Sequence, residues 1–456
     1  MPQRHLCIGA LLLFFPAFAI RAAEVTYSRD VAPIFYKHCT ACHHPNDIAP
    51  MSLMAYQSAR PWAQAIRQAV LLKKMPPWFA DRSTGHFAND PSLTEAERQT
   101  IVAWVDGGTK EGNPKDLPTA PVYAEGWHIG KPDAVFDIGE DHVIKPTAVD
   151  EYVYFTVPTH FSEGHWVQAV ELRPGNRKVV HHAHVSVVPP DAPKAAAQAP
   201  LTDNKRFADY LTRSSDGLRH MRPESPVVND ACDYSGPEID RLHIAGEGAL
   251  SSYLPGMPPD TYRSDTAKWI PAGAQLRFQI HYHSEATGSE KETVTDRTSV
   301  GLIFAPAPPR YPLRRMDVDN DFFSIPAGAP DQTVTQCATF KADSLLLSVM
   351  PHMHYRGKDA RFEIQRPGES RTEAILLVPH YDFNWQLKYV LETPVFIPKG
   401  TRLIMTFHYD NSVNNKFNPD PLRTIRWGEP SQEEMMSGWL DYIEAPASTT
   451  LSSLTH

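Results

Sequence analysis

Two cysteines and a histidine in the order Cys39-Thr40-Ala41-Cys42-His43 can bond a porphyrin through two thioethers and ligate its iron through the imidazole. A zinc half-site would want a second ligand pair nearby, and none is present. For the opposite face of the haem, Met75 is the preferred ligand. It sits before Pro76-Pro77, in a stiffened loop after a helical stretch, and a thioether there raises the potential. Met51 and Met54 follow His43 so closely that crossing to the other haem face is harder; either is otherwise core packing.

A second set of residues suits copper. His352-Met353-His354 follows the apolar run Leu345–Val349, so the pair should lie on or at the end of a strand. Residues two apart on a strand share a face, and two imidazoles projecting together can chelate one metal. A thioether added to them favours copper(I), with Met350, Met353, Met435 and Met436 as candidates. The run His181-His182-Ala183-His184 is less direct. Strand alternation pairs His182 with His184 and sends His181 to the other face, while His281 is a third nitrogen ligand for whichever pair is used. Spacing alone leaves that set open. A chain with a haem and two copper ions would move electrons, with dioxygen as their natural destination.

The rest of the chain must position these groups outside the cytoplasm, where haem is attached covalently. Arg4 and His5 precede an apolar run, Leu6–Ile20, that is too short to span a bilayer, and small residues follow it. Residues 1–23 therefore read as a secretory signal, cut between Ala19 and Glu24. No later stretch suits a transmembrane helix, so a periplasmic or secreted protein with no membrane span is expected. The net charge of -9, with no basic block, argues against nucleic acid as a partner. Forty-two prolines among 456 residues point to short strands and many turns. Beyond the signal and the haem motif, only Cys232 and Cys337 remain, one pair for an oxidising compartment whose bonding spacing alone cannot fix.

Residues 24–112 read as helical. Ser28 is placed to cap a first helix through Val31, Ile34, Phe35 and His38; a second covers Ala55–Lys74 and ends at the prolines. A third starts at Thr94 with Glu97 three residues on, a capping box, and stops at Gly107-Gly108. Short helices around a haem are the layout of a small class I cytochrome c, with 109–121 as linker. After it the pattern turns to short β segments. Ile270–Tyr282 aligns without gaps on Ile397–Tyr409, a turn feeding a strand in two halves of the region, which implies two related β-domains in tandem. They are expected over 124–304 and 310–446, parted at Ala305–Pro309. The stretch 189–268 reads as a loop excursion of the first, able to shape an active-site mouth.

Four motifs in order, Val180–Ala183, Leu276–His283, Pro351–Lys358 and Glu433–Met436, resemble those of the copper type II, ascorbate-dependent monooxygenases, the peptidylglycine α-hydroxylating and dopamine β-monooxygenases. The resemblance spans about residues 124–445. It implies two jelly-roll-like sandwich domains with one copper each, facing across a solvent cleft. With the helical segment, the expected fold is a small all-α cytochrome c domain followed by two tandem all-β sandwiches. The resemblance assigns His181, His182 and His281 to an electron-storing copper, and His352, His354 and Met435 to an oxygen-activating one. Gln279 matches a glutamine between them. Choosing His181 over His184 requires a bulge or twist in the strand. Two departures stand out: the disulfide set of the animal enzymes is largely missing, and His408 occupies the echoed strand position, where it reads as half-buried β packing.

The implied activity is a copper monooxygenase that inserts one oxygen atom from O2 into a C–H bond of a small-molecule or peptide substrate. Catalytic residues beyond the metal ligands are not assigned, because the metals carry the chemistry. Electrons would enter through the haem from an external donor: a reduced cytochrome, a quinol-linked carrier or an ascorbate-like reductant. The alternative is a non-catalytic periplasmic haem and copper electron-transfer or copper-binding protein.

Overall fold

The computed structural model describes residues 24–45, 47, 49–123, 126–144, 150–192, 210–213, 218–233, 243–245, 248–254, 256–283, 294–445 and 448–449. The expected secretory signal lies outside them. The chain is mostly β, with 39% strand and 12% helix, and this overturns the expected fold class. Among the described residues, α-helix is confined to α1 (Ala32–His38), α2 (Tyr56–Ala59), α3 (Ala63–Leu71) and α4 (Glu95–Asp106). They do not make a sizeable all-α cytochrome domain. The longest runs for 12 residues, and the segment that follows α3 leaves them: Ala80 is buried in a core of the β region, where Trp78 and Phe87 also pack.

Four principal sheets follow, and they do not divide into two clean tandem sandwiches. One four-stranded sheet orders Asp150–Pro158, Gln275–His283, Val180–Val188 and Ala249–Tyr253. It shares a core with a six-stranded sheet that contains His165–Arg173 and Ser299–Phe304. A five-stranded sheet orders Tyr389–Ile397, Ser344–His352, Ser437–Glu444, Arg314–Asp319 and His243–Ala245. It shares a second core with the sheet Gln332–Thr339, Arg402–Tyr409, Gly357–Gln365 and Thr372–Val378. Membership crosses the expected boundaries. The strand His243–Ala245 pairs with Arg314–Asp319, and Tyr311–Pro312 pairs back onto Thr266–Ile270.

The described parts of the stretch 189–268 include strands rather than loop alone. Its hairpin Leu211–Arg213 with Arg219–Met221 sends Leu211 and Met221 into the second core, joined there by Val228 and Ala231. Arg219 is locked to Glu429 by a buried ion pair at 2.8 Å, and Cys232 is disulfide-bonded to Cys337 across 105 residues. Other parts supply strands Ala249–Tyr253 and Thr266–Ile270 to the first pair of sheets. Proline density concealed these strands because each is only three to five residues long.

The internal echo is real in space. Gln275–His283 and Arg402–Tyr409 are both interior strands of four-stranded sheets. Each follows a turn with a left-handed glycine, Gly273 at φ +69° and Gly400 at φ +86°, which a side chain would strain.

The two β units meet through the outer faces of two sheets. On the strand Gln275–His283, Leu276, Phe278, Ile280 and Tyr282 enter the first core, so alternation turns Gln279 and His281 to the other face. A buried charge cluster also joins the units. Asp260 and Lys268 come from the first, Arg315, Lys388 and Asp441 from the second. Lys388 reaches Asp260, and it reaches Asp441 at 3.2 Å; Ser348 donates to Asp441 at 3.0 Å. Burial alone would raise the Asp441 carboxyl, but Lys388, Lys268 and Arg315 hold it well below the usual range.

In the helical segment, α1 buries Ile34 and Phe35 and α4 buries Ile101, Trp104 and Val105 in a core of their own. Tyr27–Val31 forms a π-helical turn before α1, so Ser28 lies inside that turn rather than capping the helix. The box at α4 is complete: Thr94 Oγ1 accepts from the Glu97 amide, and Glu97 accepts from the Thr94 amide at 2.8 Å. Glu97 also holds His38 of α1 at 3.0 Å. Burial raises the Glu97 carboxyl, but the Thr94 amide and the His38 ring outweigh it and bring it down to about 2. A carboxyl held below its unfolded value adds stability that is present above about 4.5 and lost as pH falls toward about 2. Glu97→Gln should flatten this part of the acid-unfolding curve of the helical segment, followed by far-ultraviolet circular dichroism.

Candidate metal and haem sites

The strand Val180–Val188 carries the feature that alternation alone could not supply. His182 lies opposite His281 and Val180 opposite Tyr282, so the register shifts there and His181 is an extra residue, a bulge. Val180 and Ala183 both enter the first core. The two residues between them, His181 and His182, therefore share the outer side with His281. The ring nitrogens of the three histidines lie within 4.8 Å of one another. Nδ1 of His182 is 3.2 Å from Nδ1 of His181 and 3.4 Å from Nδ1 of His281. Two nitrogens bound at about 2.0 Å to one ion are themselves about 3.3–3.5 Å apart, so this spacing suits a shared metal. Burial first, and then the neighbouring imidazoles, push the His182 ring well below its ordinary value. It is held neutral, the form that coordinates. Tyr152 stacks on His281 at 4.2 Å.

His352 ends the strand Ser344–His352, and His354 follows in the turn, both buried with ring centroids 5.3 Å apart. His352 Nδ1 is 2.6 Å from Gln386 Oε1, and His354 Nδ1 is 3.3 Å from the Glu433 carbonyl. With each Nδ1 engaged, Nε2 is the coordinating atom of both. Such partners fix ring orientation and tautomer at metal sites. Burial brings His352 down to about 4, against the Gln386 hydrogen bond, which favours the charged form.

Of the four thioether candidates, Met353 and Met436 are sealed in the second core, and Met350 is buried beside a small cavity with Trp439. Met435 is half-buried at the edge of that core. Glu434 ties it to the histidines. This fully buried carboxylate accepts the amides of His354 at 2.8 Å, Arg356 at 2.6 Å and Met435 at 3.3 Å.

The two sets are neighbours. The rings of His182 and His352 are 6.5 Å apart, and Phe383 packs on both His181 and His354. The solvent cleft implied by the resemblance is thus replaced by buried packing. Trp439 stacks on His352 at 5.1 Å, with the Arg315 guanidinium 4.7 Å over its ring. The remaining candidates have partners of their own, although the His184 ring also lies 5.2 Å from that of His182. His184 bonds Ser252 at 2.7 Å, Gln279 donates to Tyr154 at 2.6 Å, and His408 pairs with Asp359 at 2.6 Å.

Cys39, Cys42 and His43 line a cavity of about 1110 Å³, with Met51 and Met75 also on its wall. The two thiols are unbridged. His43 Nδ1 is 3.2 Å from the Met51 carbonyl, which leaves Nε2 for iron, and Phe35, Leu53, Ile66 and Val70 make much of the wall apolar. These residues fit a covalent haem. The cavity does not belong to the helical segment alone. Tyr253, Met257, Trp385 and Lys388 of the β units close it, and His181 lies on the same wall.

Sequence reasoning missed Gln386, Phe383, Trp439 and Met257, none of which belongs to a motif. Glu434 had a signal, since it immediately precedes Met435.

No protein-family model matches the chain, and no curated protein matches it. Among solved structures, it is similar to the major capsid protein P2 from bacteriophage PM2, at 10% identity over 69% of this chain and 98% of that one, with a TM-score of 0.26. PNGF-II matches at 8% identity over 70% of this chain and 66% of that one, with a TM-score of 0.24. Likeness at this level carries neither fold nor function across.

Because Glu434 holds the backbone of His354 and Met435 together, Glu434→Gln should weaken copper binding at the His352 and His354 pair about 10–100-fold. Binding at His181, His182 and His281 should be unchanged. A competition titration with a chromophoric copper(I) chelator reads both.

Proposed function

We propose that the protein is an exported copper-dependent monooxygenase that inserts one oxygen atom from O2 into a substrate C–H bond, with electrons delivered through a c-type haem bonded to Cys39 and Cys42. One observation carries the reading: five histidines from three separate stretches of chain converge at one buried place, on which the haem-motif cavity opens through His181. Copper at the two histidine sets would supply one-electron chemistry and oxygen activation, and the haem an electron store.

The chain's own residues provide the rest. His181, His182 and His281 offer three nitrogens and no sulfur. His352 and His354, held by Gln386 and the Glu433 carbonyl, offer two nitrogens, and Met435, whose amide shares Glu434 with that of His354, would add a thioether, a soft donor that favours the reduced ion. His43 and Met75, which line the same cavity, would hold the haem iron. Phe383 and Trp439 pack water away from the imidazoles. The substrate is a small molecule or peptide, and the donor is an external reductant of the cytochrome, quinol-linked or ascorbate-like class. A non-catalytic haem and copper electron carrier is the second reading, favoured by the burial of His182, His281, His352 and His354.

The full chain, matured with haem and copper, should hold about two coppers and one haem. His281→Ala and His352→Ala should each remove about one copper and leave the haem in place. After anaerobic reduction, admission of O2 with a panel of hydroxylatable compounds should give substrate-dependent reoxidation and an oxygenated product. Iron without copper overturns the proposal; reoxidation that no compound accelerates supports the electron carrier instead.

A further inference from the structure

We propose that His44, Asp47 and His128 form a third metal site, which holds a divalent transition ion of the zinc class between the haem-bearing segment and the first β unit. A ring nitrogen of each histidine and a carboxylate oxygen of Asp47 lie within 4.8 Å of one another. Two of the ligands come from the loop just after the haem motif, and the third comes from the chain entering the first β unit.

The surroundings are those of ligands rather than of a plain ion-pair cluster. His44 Nδ1 is 2.9 Å from the Thr40 carbonyl, and His128 Nδ1 is 2.8 Å from Glu171 Oε1. Both rings therefore commit Nδ1 to acceptors outside the triad, which leaves Nε2 as the coordinating atom. A histidine backed by a carboxylate or a carbonyl on its other nitrogen is the usual support of a metal ligand. The aspartate is divided in the same sense. Arg177 engages Oδ1, while Oδ2 is 3.4 Å from His44 Nε2.

The supporting groups are themselves fixed. Glu171 is buried and also accepts the amides of His128 at 2.6 Å and Ile129 at 3.2 Å. Tyr123 stacks on His44 at 4.0 Å and bonds Thr40 at 2.6 Å. Two imidazoles and one carboxylate suit zinc, with water completing a tetrahedron. Since His44 adjoins His43, the ion would hold the loop of the proximal haem ligand against the β region. This site is independent of the two copper sets.

The test uses the full haem-containing chain, stripped of other metals and equilibrated with Zn2+ alone. His128→Gln should lower bound zinc by one equivalent, both in the wild-type background and alongside His281→Ala. Asp47→Asn should weaken that site at least tenfold, and it carries the test if His128→Gln fails to fold. Glu171→Gln should keep the ion but weaken it about 10–100-fold, the effect of losing a supporting partner. Zinc bound by His128→Gln and Asp47→Asn with wild-type number and affinity would overturn the proposal.

Discussion

A carboxylate at the bottom of the interface between the β units, Asp441, sets where the histidines can be. It receives Lys268 from one unit and Lys388 from the other, while Asp260 and Arg315 complete the cluster. Charges this deep are costly unless each has a partner, and removing one strands the rest. These pairings favour the docking of the two units seen here. That arrangement brings Trp439, adjacent along its strand to the cluster, onto His352, and brings His352 beside His182. Electrostatic pairing at one end of the interface thus helps to set the spacing of the imidazoles at the other.

The same docking explains why the site is dry. Each unit keeps an apolar core between its own sheets, so its outer face is free to carry polar side chains. On a lone sheet these would be solvated. Here the second unit covers them, and desolvation pushes the His182 and His352 rings below their ordinary value. The cavity lined by Cys39, Cys42 and His43 adjoins this region because the helical segment does not close it alone. Its missing wall is supplied by Tyr253, Met257, Trp385 and Lys388.

Much of the site was legible in the residues because coordination chemistry is restrictive: few patterns other than Cys39–His43 or His352-Met353-His354 do such work. Alternation erred at His181, where one extra residue reverses the face, and a bulge leaves no mark in composition. The resemblance supplied that ligand set. The echo of Ile270–Tyr282 on Ile397–Tyr409 was legible because a glycine-bearing turn and a buried strand recur together. The all-α domain was misjudged because helical periodicity reports local structure and is silent on whether the helices close their own core. Likewise, the excursion's membership in the second core depends on Arg219 meeting Glu429, a pairing 210 residues apart.

The shared wall around Cys39 and Cys42 bears on how the protein is made. Thioether formation would need an enzyme and a porphyrin to reach both sulfurs, and in the finished fold Tyr253, Met257, Trp385 and Lys388 from distant parts of the chain line the same cavity. On the proposed reading, haem attachment would precede the docking of those segments. Copper, whose histidines come from three separate stretches of chain, would be bound only after it.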